Sequence, residues 1–252
     1  MNERAYAAHE SGIAAHLLID EPLADVVEVG GADGHHLARV RRLRVGERVT
    51  VGDGVGAWRA YTIERVRDAT LWLGAESELR LEPDVRDAVT IAPALSKGTK
   101  LETVVQHLTE VGVDAVVPWV AQRSVQRLDG RARQRLHERL GVVARSATMQ
   151  SRRSRLPRVA PIAEGVAGVI AVLPADAVVV AADVIGDVAA LADGRRRRAE
   201  AGSTFIVTGP EGGFDPTERA ALTTAGAALW SLGPTVLRTE TAPLAAAILA
   251  RS

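Results

Sequence analysis

Residues 207–222 read VTGPEGGFDPTERAAL. An apolar strand end runs into a turn holding three glycines and a proline, and the turn runs directly into a helix. Glycine-rich turns between a strand and a helix commonly cradle phosphates, yet this one has neither the G-x-G-x-x-G spacing of a dinucleotide fold nor the G-x-x-x-x-G-K-[ST] of a P-loop. Glu211 stands where a phosphate would sit and would repel a polyphosphate. A ligand at Gly209-Pro210-Glu211-Gly212-Gly213 is therefore neutral or positive near the turn; the bland alternative is a rigid connector. The helix behind it has a well-marked start: Asp215 can cap, Pro216 suits the first turn, and Glu218 completes a capping-box pattern.

A second turn of the same kind follows at 231–247, SLGPTVLRTETAPLAAA. It also leaves a strand, carries Gly-Pro and leads to an apolar helix that Thr241 is placed to cap. Two such turns at neighbouring strand ends would face one another across a crevice, where open α/β sheets bind ligands. Leu232 and Leu237 could sandwich a flat ring there, with backbone groups reading its edge.

Working outward, the chain changes character near residue 85. Before it lie short strand-like runs punctuated by Gly and Asp: VVEVGG, RVTVGDG, WRAYTIERV and ATLWLGAE. They predict a small β-barrel over 1–84. Within it, HHLARVRRLRVGERV (35–49) puts Leu37, Val40 and Leu43 at helical spacing, and predicts a short amphipathic helix with a basic side. After residue 85 strands and helices alternate: VTIAPAL, the helix KLETVVQHLTEVG, the strand VDAVVPWV, the long helix RARQRLHERLGVVARSATMQ, then AVVVAAD, FIVTG and ALWSLG. Such alternation implies a parallel sheet with helices on both faces over 85–252.

The 252 residues carry no cysteine, which excludes disulfides, thiolate catalysis and sulfur-ligated zinc. The start of the chain lacks the apolar core of a signal peptide, and no stretch reaches the roughly 18 apolar residues of a membrane span. The expectation is a cytoplasmic protein. A net charge of zero hides an uneven distribution. Residues 1–84 hold 10 arginines against 15 acids, whereas 123–158 hold 11 arginines against Asp129 and Glu138. That second segment suits a phosphate backbone or a solvated helix face. The run Arg195 to Arg198 reads as a solvated loop. His35, His36 and His107 lack a partner at metal spacing, so no metal is expected.

TGPEGGF (208–214) together with LGPTVLRTETA (232–242) resembles the motif pair of the RsmE family, 16S ribosomal RNA uridine N3-methyltransferases of the SPOUT superfamily. HHLARVRRLRVGERVTVGDG (35–54) resembles that family's PUA-like RNA-binding module. LSKGTKLETVVQHLTEVGVDAVVPWVAQRSV (95–125) is similar to its first strand–helix–strand block, and MQSRRSRLP (149–157) to a segment usually reading Glu-Gln-Ser-Gly-Arg. Met149 and Arg152 depart from that pattern, so no role is carried over for the missing Glu.

The resemblance implies an α/β C-terminal domain tied as a deep trefoil knot, binding S-adenosylmethionine and pairing as a homodimer through the knot. It implies cofactor contacts at Gly209, Gly212, Leu232, Gly233, Leu237 and Arg238. Pro210, Glu211 and Gly213 would shape the same loop, and Ala181 would add a further contact. Arg238 is the candidate for stabilising the uridine anion. Glu240 is either a base or a carboxylate on a backbone cap. The expected contacts to 16S ribosomal RNA or the small subunit are Arg39, Arg41, Arg42, Lys97, Lys100, Arg123 and Arg153. Rival readings are another SPOUT RNA methyltransferase, acting on a ribose hydroxyl or a different base, and a non-catalytic ribosome-assembly factor.

Overall fold

A computed structural model describes residues 6–83, 85, 87–95, 101–124, 128–187 and 202–251. The chain divides into two compact units, the first made of Met1–Asp84 with Arg145–Leu156, the second of Val85–Ala144 with Pro157–Ser252.

The first unit is built on β1 (Ile13–Leu18), β2 (Val26–Val29), α1 (Gly31–His35), β3 (Arg48–Gly52), β4 (Ala57–Arg67), β5 (Thr70–Ala75) and β6 (Arg80–Leu81). The strands run in the order β1-β3-β4-β5-β2, with β6 on β4; β1 and β3 are parallel and the other pairs antiparallel. Alternating side chains of these strands, with Leu37 and Leu43, make one core.

The helix expected over 35–49 is shorter and earlier. It begins at Gly31, loosens into one π turn over His36–Val40, and ends where Arg42 takes a left-handed φ of 56°. The apolar spacing is real for Leu37 and Leu43, both buried, but Leu43 reaches the core from beyond the helix, bonding its N–H to Leu37 O at 3.0 Å.

Residues 145–156 are sewn to this unit by polar contacts. The Arg145 guanidinium donates to Leu18 O at 2.5 Å, Arg152 to Ile13 O at 2.7 Å and Arg155 to Val55 O at 2.5 Å. His16 is buried between Thr50 Oγ1 at 2.8 Å and Arg153 O at 2.9 Å. A carbonyl only accepts, so Nε2 carries the proton and Nδ1 accepts from the threonine hydroxyl. Burial holds the His16 imidazole down at about 4, the Arg153 carbonyl opposing that shift and the Arg152 charge adding to it. Glu82 accepts from Ser154 N at 3.4 Å, and burial pushes its carboxyl up against the pull of that bond.

The second unit alternates β7 (Ala88–Pro93), α2 (Leu101–Glu110), β8 (Ala115–Val116), β9 (Trp119–Val120), α3 (Gly130–Gln150), β10 (Arg158–Val159), β11 (Ala163–Glu164), α4 (Gly165–Ile170), β12 (Val178–Asp187), β13 (Ser203–Thr208), α5 (Pro216–Thr224), β14 (Ala228–Trp230) and α6 (Thr241–Arg251). Six strands form a parallel sheet in the order β10-β8-β7-β13-β12-β14. Its strands are apolar on both faces, as a sheet covered by helices requires. Val180, Ile206 and Trp230 face a core shared with α2, α3 and α6; Val179, Ala181, Phe205 and Val207 face another shared with α4 and α5.

The single strand expected at VDAVVPWV is two. Pro118 has no N–H to continue a ladder, so β8 stays in the main sheet while β9 pairs with β11 as a separate ribbon. The last helix begins at Thr241 itself, not after it. No described helix is long and apolar enough to cross a membrane.

Candidate active site

β12 lies between β13 and β14 and parallel to both, so three C-terminal strand ends stand side by side. The segments that follow β13 and β14, with Ala182, Asp183 and Val184 of β12, line one cavity of about 280 Å³. The β13–α5 turn contributes Gly209, Pro210, Glu211, Gly212 and Gly213. The β14–α6 loop contributes Leu232, Gly233 and Leu237, along with Thr235, Val236 and Thr239. The two glycine–proline turns thus meet around a single space.

The first turn is rigid for identifiable reasons. Gly213 takes a left-handed φ of 66°, and its N–H closes the turn onto Pro210 O at 2.9 Å. Phe214 is buried and stacks on Trp119, whose Nε1 donates to Ala92 O and Thr208 O, both at 3.2 Å. The helix start carries the expected capping box. Asp215 accepts from Thr217 N at 3.0 Å and Glu218 from Asp215 N at 3.0 Å, and the bonds from Thr217 hold the Asp215 carboxyl below its ordinary range. Glu218 also accepts from Gln122 N at 2.7 Å.

In the second loop, Ser231 Oγ donates to Gly233 O at 3.0 Å, and Gly233 holds φ at 138°. Arg238 O accepts from Thr241 N and Ala242 N, both at 2.9 Å, which seats the start of α6.

Three residues named from the sequence are placed as follows. Ala181 does not line the cavity; it is fully buried in the core below, and the wall is formed by Ala182, Asp183 and Val184. The Arg238 side chain is 85% exposed and absent from the cavity wall. Glu240 is only partly buried and lies 3.9 Å from Arg238, an ion pair and not a buried carboxylate.

The expected RNA contacts fall in several places. Arg39, Arg41 and Arg42 are exposed, and Arg41 also donates to Ala14 O at 2.8 Å. The Arg123 guanidinium instead braces the first turn, donating to Gly212 O at 2.8 Å and lying 3.5 Å from Asp215. Arg153 is partly buried and has its carbonyl on His16. Lys97, Lys100 and the run Arg195 to Arg198 lie outside the described residues.

Sequence reasoning missed Asp183, a carboxylate in the cavity wall with its side chain 4% exposed. Arg219 Nε donates to its Oδ2 at 2.7 Å, and Ile185 N approaches Oδ1 at 3.3 Å. An acidic residue closing an apolar strand was the available signal.

The cavity's chemistry fits the cofactor that the resemblance implies. Its wall holds apolar Leu232, Val236 and Leu237, flexible-backbone glycines, and two carboxylates, with no Lys, Arg or His among the described residues. That set suits a flat ring joined to a cation, and repels a polyphosphate.

Comparison with known proteins gives the same direction. Residues 83–251 match the model of an RNA methyltransferase domain, and residues 29–71 that of an RNA methyltransferase PUA domain. The Ribosomal RNA small subunit methyltransferase E of Mycobacterium bovis is 40% identical over 227 residues, covering 86% of this chain and 82% of the relative. The Bacillus subtilis protein of the same name is 32% identical over 230 residues, covering 88% of each. The Neisseria gonorrhoeae Ribosomal RNA small subunit methyltransferase E, solved bound to S-adenosyl methionine, is 26% identical and superposes with a TM-score of 0.81 over 92% of this chain and 94% of that one.

Proposed function

This chain belongs to the ribosomal RNA small subunit methyltransferase E family, and from that premise we propose that it methylates N3 of a uridine in 16S ribosomal RNA, with S-adenosylmethionine as donor. One observation carries the reading: both glycine–proline turns, their Gly-Pro pairs 24 residues apart in sequence, line the same crevice at the C-terminal edge of the parallel sheet. When bound, the cofactor supplies an electrophilic methyl group on a positive sulfur.

The chain's own residues supply the rest. The backbone of Gly209–Gly213 and of Leu232–Leu237 would hold the cofactor between apolar side chains. The Arg123 brace on Gly212 O keeps the first turn in place. N3 of uracil carries a proton on its pairing edge, so the base must leave its stack and lose that proton. Arg238, charged and exposed, would stabilise the resulting anion without holding the cofactor.

The deep knot is part of the same proposal. The chain crosses from β13 past β12 to the edge strand β14, and α6 then returns to pack on β7 and α2. That route supports a tail tucked through a loop. Exposed Val184, Ile185 and Val236, beside the cavity, support pairing of two chains there. Cytoplasmic location follows from a substrate in the ribosome.

The decisive experiment maps modified nucleotides by mass spectrometry in 16S ribosomal RNA from a deletion strain. One 3-methyluridine should vanish and return on complementation. Loss of a ribose methyl, or no loss at all, would replace this reading.

A further inference from the structure

Asp183 is the deeply buried charge in the cavity wall, and the reason for keeping it there is not structural economy. Removing a carboxylate from water costs several kcal/mol unless it is paired and hydrogen-bonded. Arg219 from α5 satisfies Oδ2 at 2.7 Å, but among the described residues Oδ1 receives only the long 3.3 Å approach of Ile185 N. One oxygen therefore keeps acceptor capacity, in a wall whose other side chains are mostly apolar and which holds no basic residue among those described. The only other acid there among the described residues, Glu211, is exposed on the turn. Asp183 also directly follows Ala182, where the pairing of β12 with β13 ends, and it lines the cavity along with both turns.

We propose that the Asp183 carboxylate, fixed in place by the Arg219 guanidinium, is the group that recognises the positive centre of the methyl donor. The inference rests on the cavity being the donor's site, and it adds what discriminates among adenosine thioethers that fit the same ring slot. Two positive centres exist on the donor, the sulfonium and the amino-acid ammonium. Both offer the same chemistry to a carboxylate, and they separate experimentally.

Calorimetric titration of the full chain with three probes tests this. S-Adenosylmethionine carries both charges, S-adenosylhomocysteine only the ammonium, and 5′-methylthioadenosine neither. Asp183→Asn should weaken S-adenosylmethionine about tenfold or more, the scale of one charge-assisted hydrogen bond, and leave methylthioadenosine within about twofold. If S-adenosylhomocysteine falls alongside the donor, the ammonium is the partner; if it holds, the sulfonium is. Asp183→Glu, which keeps the charge, should recover part of the gap between donor and methylthioadenosine. An equal fall for all three probes, or none, overturns the proposal, because a merely structural carboxylate would not sort ligands by charge. Should Asp183→Asn fail to fold, as thermal melting would show, Arg219→Gln takes its place under the same outcomes, since an unheld carboxylate should lose part of the same discrimination. A wild-type chain that binds no S-adenosylmethionine sinks the cofactor reading itself, before any variant is made.

Discussion

His16 ties two distant stretches of sequence through one uncharged ring. Its folded value near 4 lies below the ordinary value of 6.5, so between those values the unfolded chain takes up a proton that the native chain refuses. Stability is full above pH about 6.5 and declines as pH falls toward about 4, by ~3 kcal/mol at most. Urea midpoints at pH 7 and pH 4.5 should show the drop, and His16→Asn should flatten it; an equal slope in both proteins would assign the titration elsewhere. Arg152 sits one residue from that anchor with φ at 56°, at the position where the resembling segment usually has Gly. Its guanidinium offsets the strain by donating to Ile13 O. Arg152→Ala keeps the strained backbone and loses the bond, so it should cost about 1 kcal/mol; Arg152→Gly should be the more stable of the two by a similar amount, reversing the usual order of Ala over Gly. At the cavity rim, Arg238→Ala should leave cofactor affinity nearly unchanged in calorimetry while lowering turnover by about 10²–10³, the scale for removing one anion-stabilising group. A matching loss of binding would make Arg238 a cofactor contact after all. Of these three residues Arg152 and Arg238 fall in motifs that the sequence displays. His16 acts through partners 34 and 137 positions away, which no local pattern displays.

Elements whose cause is local were legible and those whose cause is distant were not. The capping box at Asp215–Glu218 and the stop at Gly112, with φ at 91°, follow from neighbouring residues alone and are present. β1 was passed over because IAAHLL has no alternation to mark it; five of its six residues are buried. The split at Pro118 was readable in principle, since a proline argues against a continuous central strand. Glu218 shows how an element end can serve a site. One carboxylate caps α5 through Asp215 N and also holds Gln122 N, joining the first glycine–proline turn to the loop that bears Arg123. It is 3% exposed, so removing it takes the acceptor from two part-buried N–H groups. Glu218→Ala should therefore cost about 2–4 kcal/mol, against about 1 kcal/mol for the cap variant Asp215→Ala. Urea unfolding of the pair checks the ranking, and equal losses would show that the Gln122 bond contributes nothing.

At the scale of the whole molecule, the distribution of charge changes once the units are known. Residues 1–84 alone are acidic, an awkward property for a module expected to meet RNA. Arg145–Leu156 belongs to the same unit and brings Arg145, Arg152, Arg153 and Arg155 with no acid, leaving fourteen arginines against fifteen acids. Much of that charge is committed, since Arg145, Arg152 and Arg155 each donate to a backbone carbonyl within the unit. On α3, Arg139 faces Glu102 and Arg133 faces Glu164, whereas Arg131 and Arg135 are exposed. Phosphate attraction should therefore come from few side chains, and each phosphate neutralised contributes about 0.7–0.9 to the slope of log K against log salt. Replacing Arg131 and Arg135 together by Gln should shallow that slope by about 1–2 in filter binding to 16S ribosomal RNA, with thermal stability unchanged because neither is buried. A slope equal to the wild type's would mean that these two arginines face solvent alone, and would move the contact to the exposed Arg39 and Arg42 of the first unit, whose own double replacement should then carry the loss.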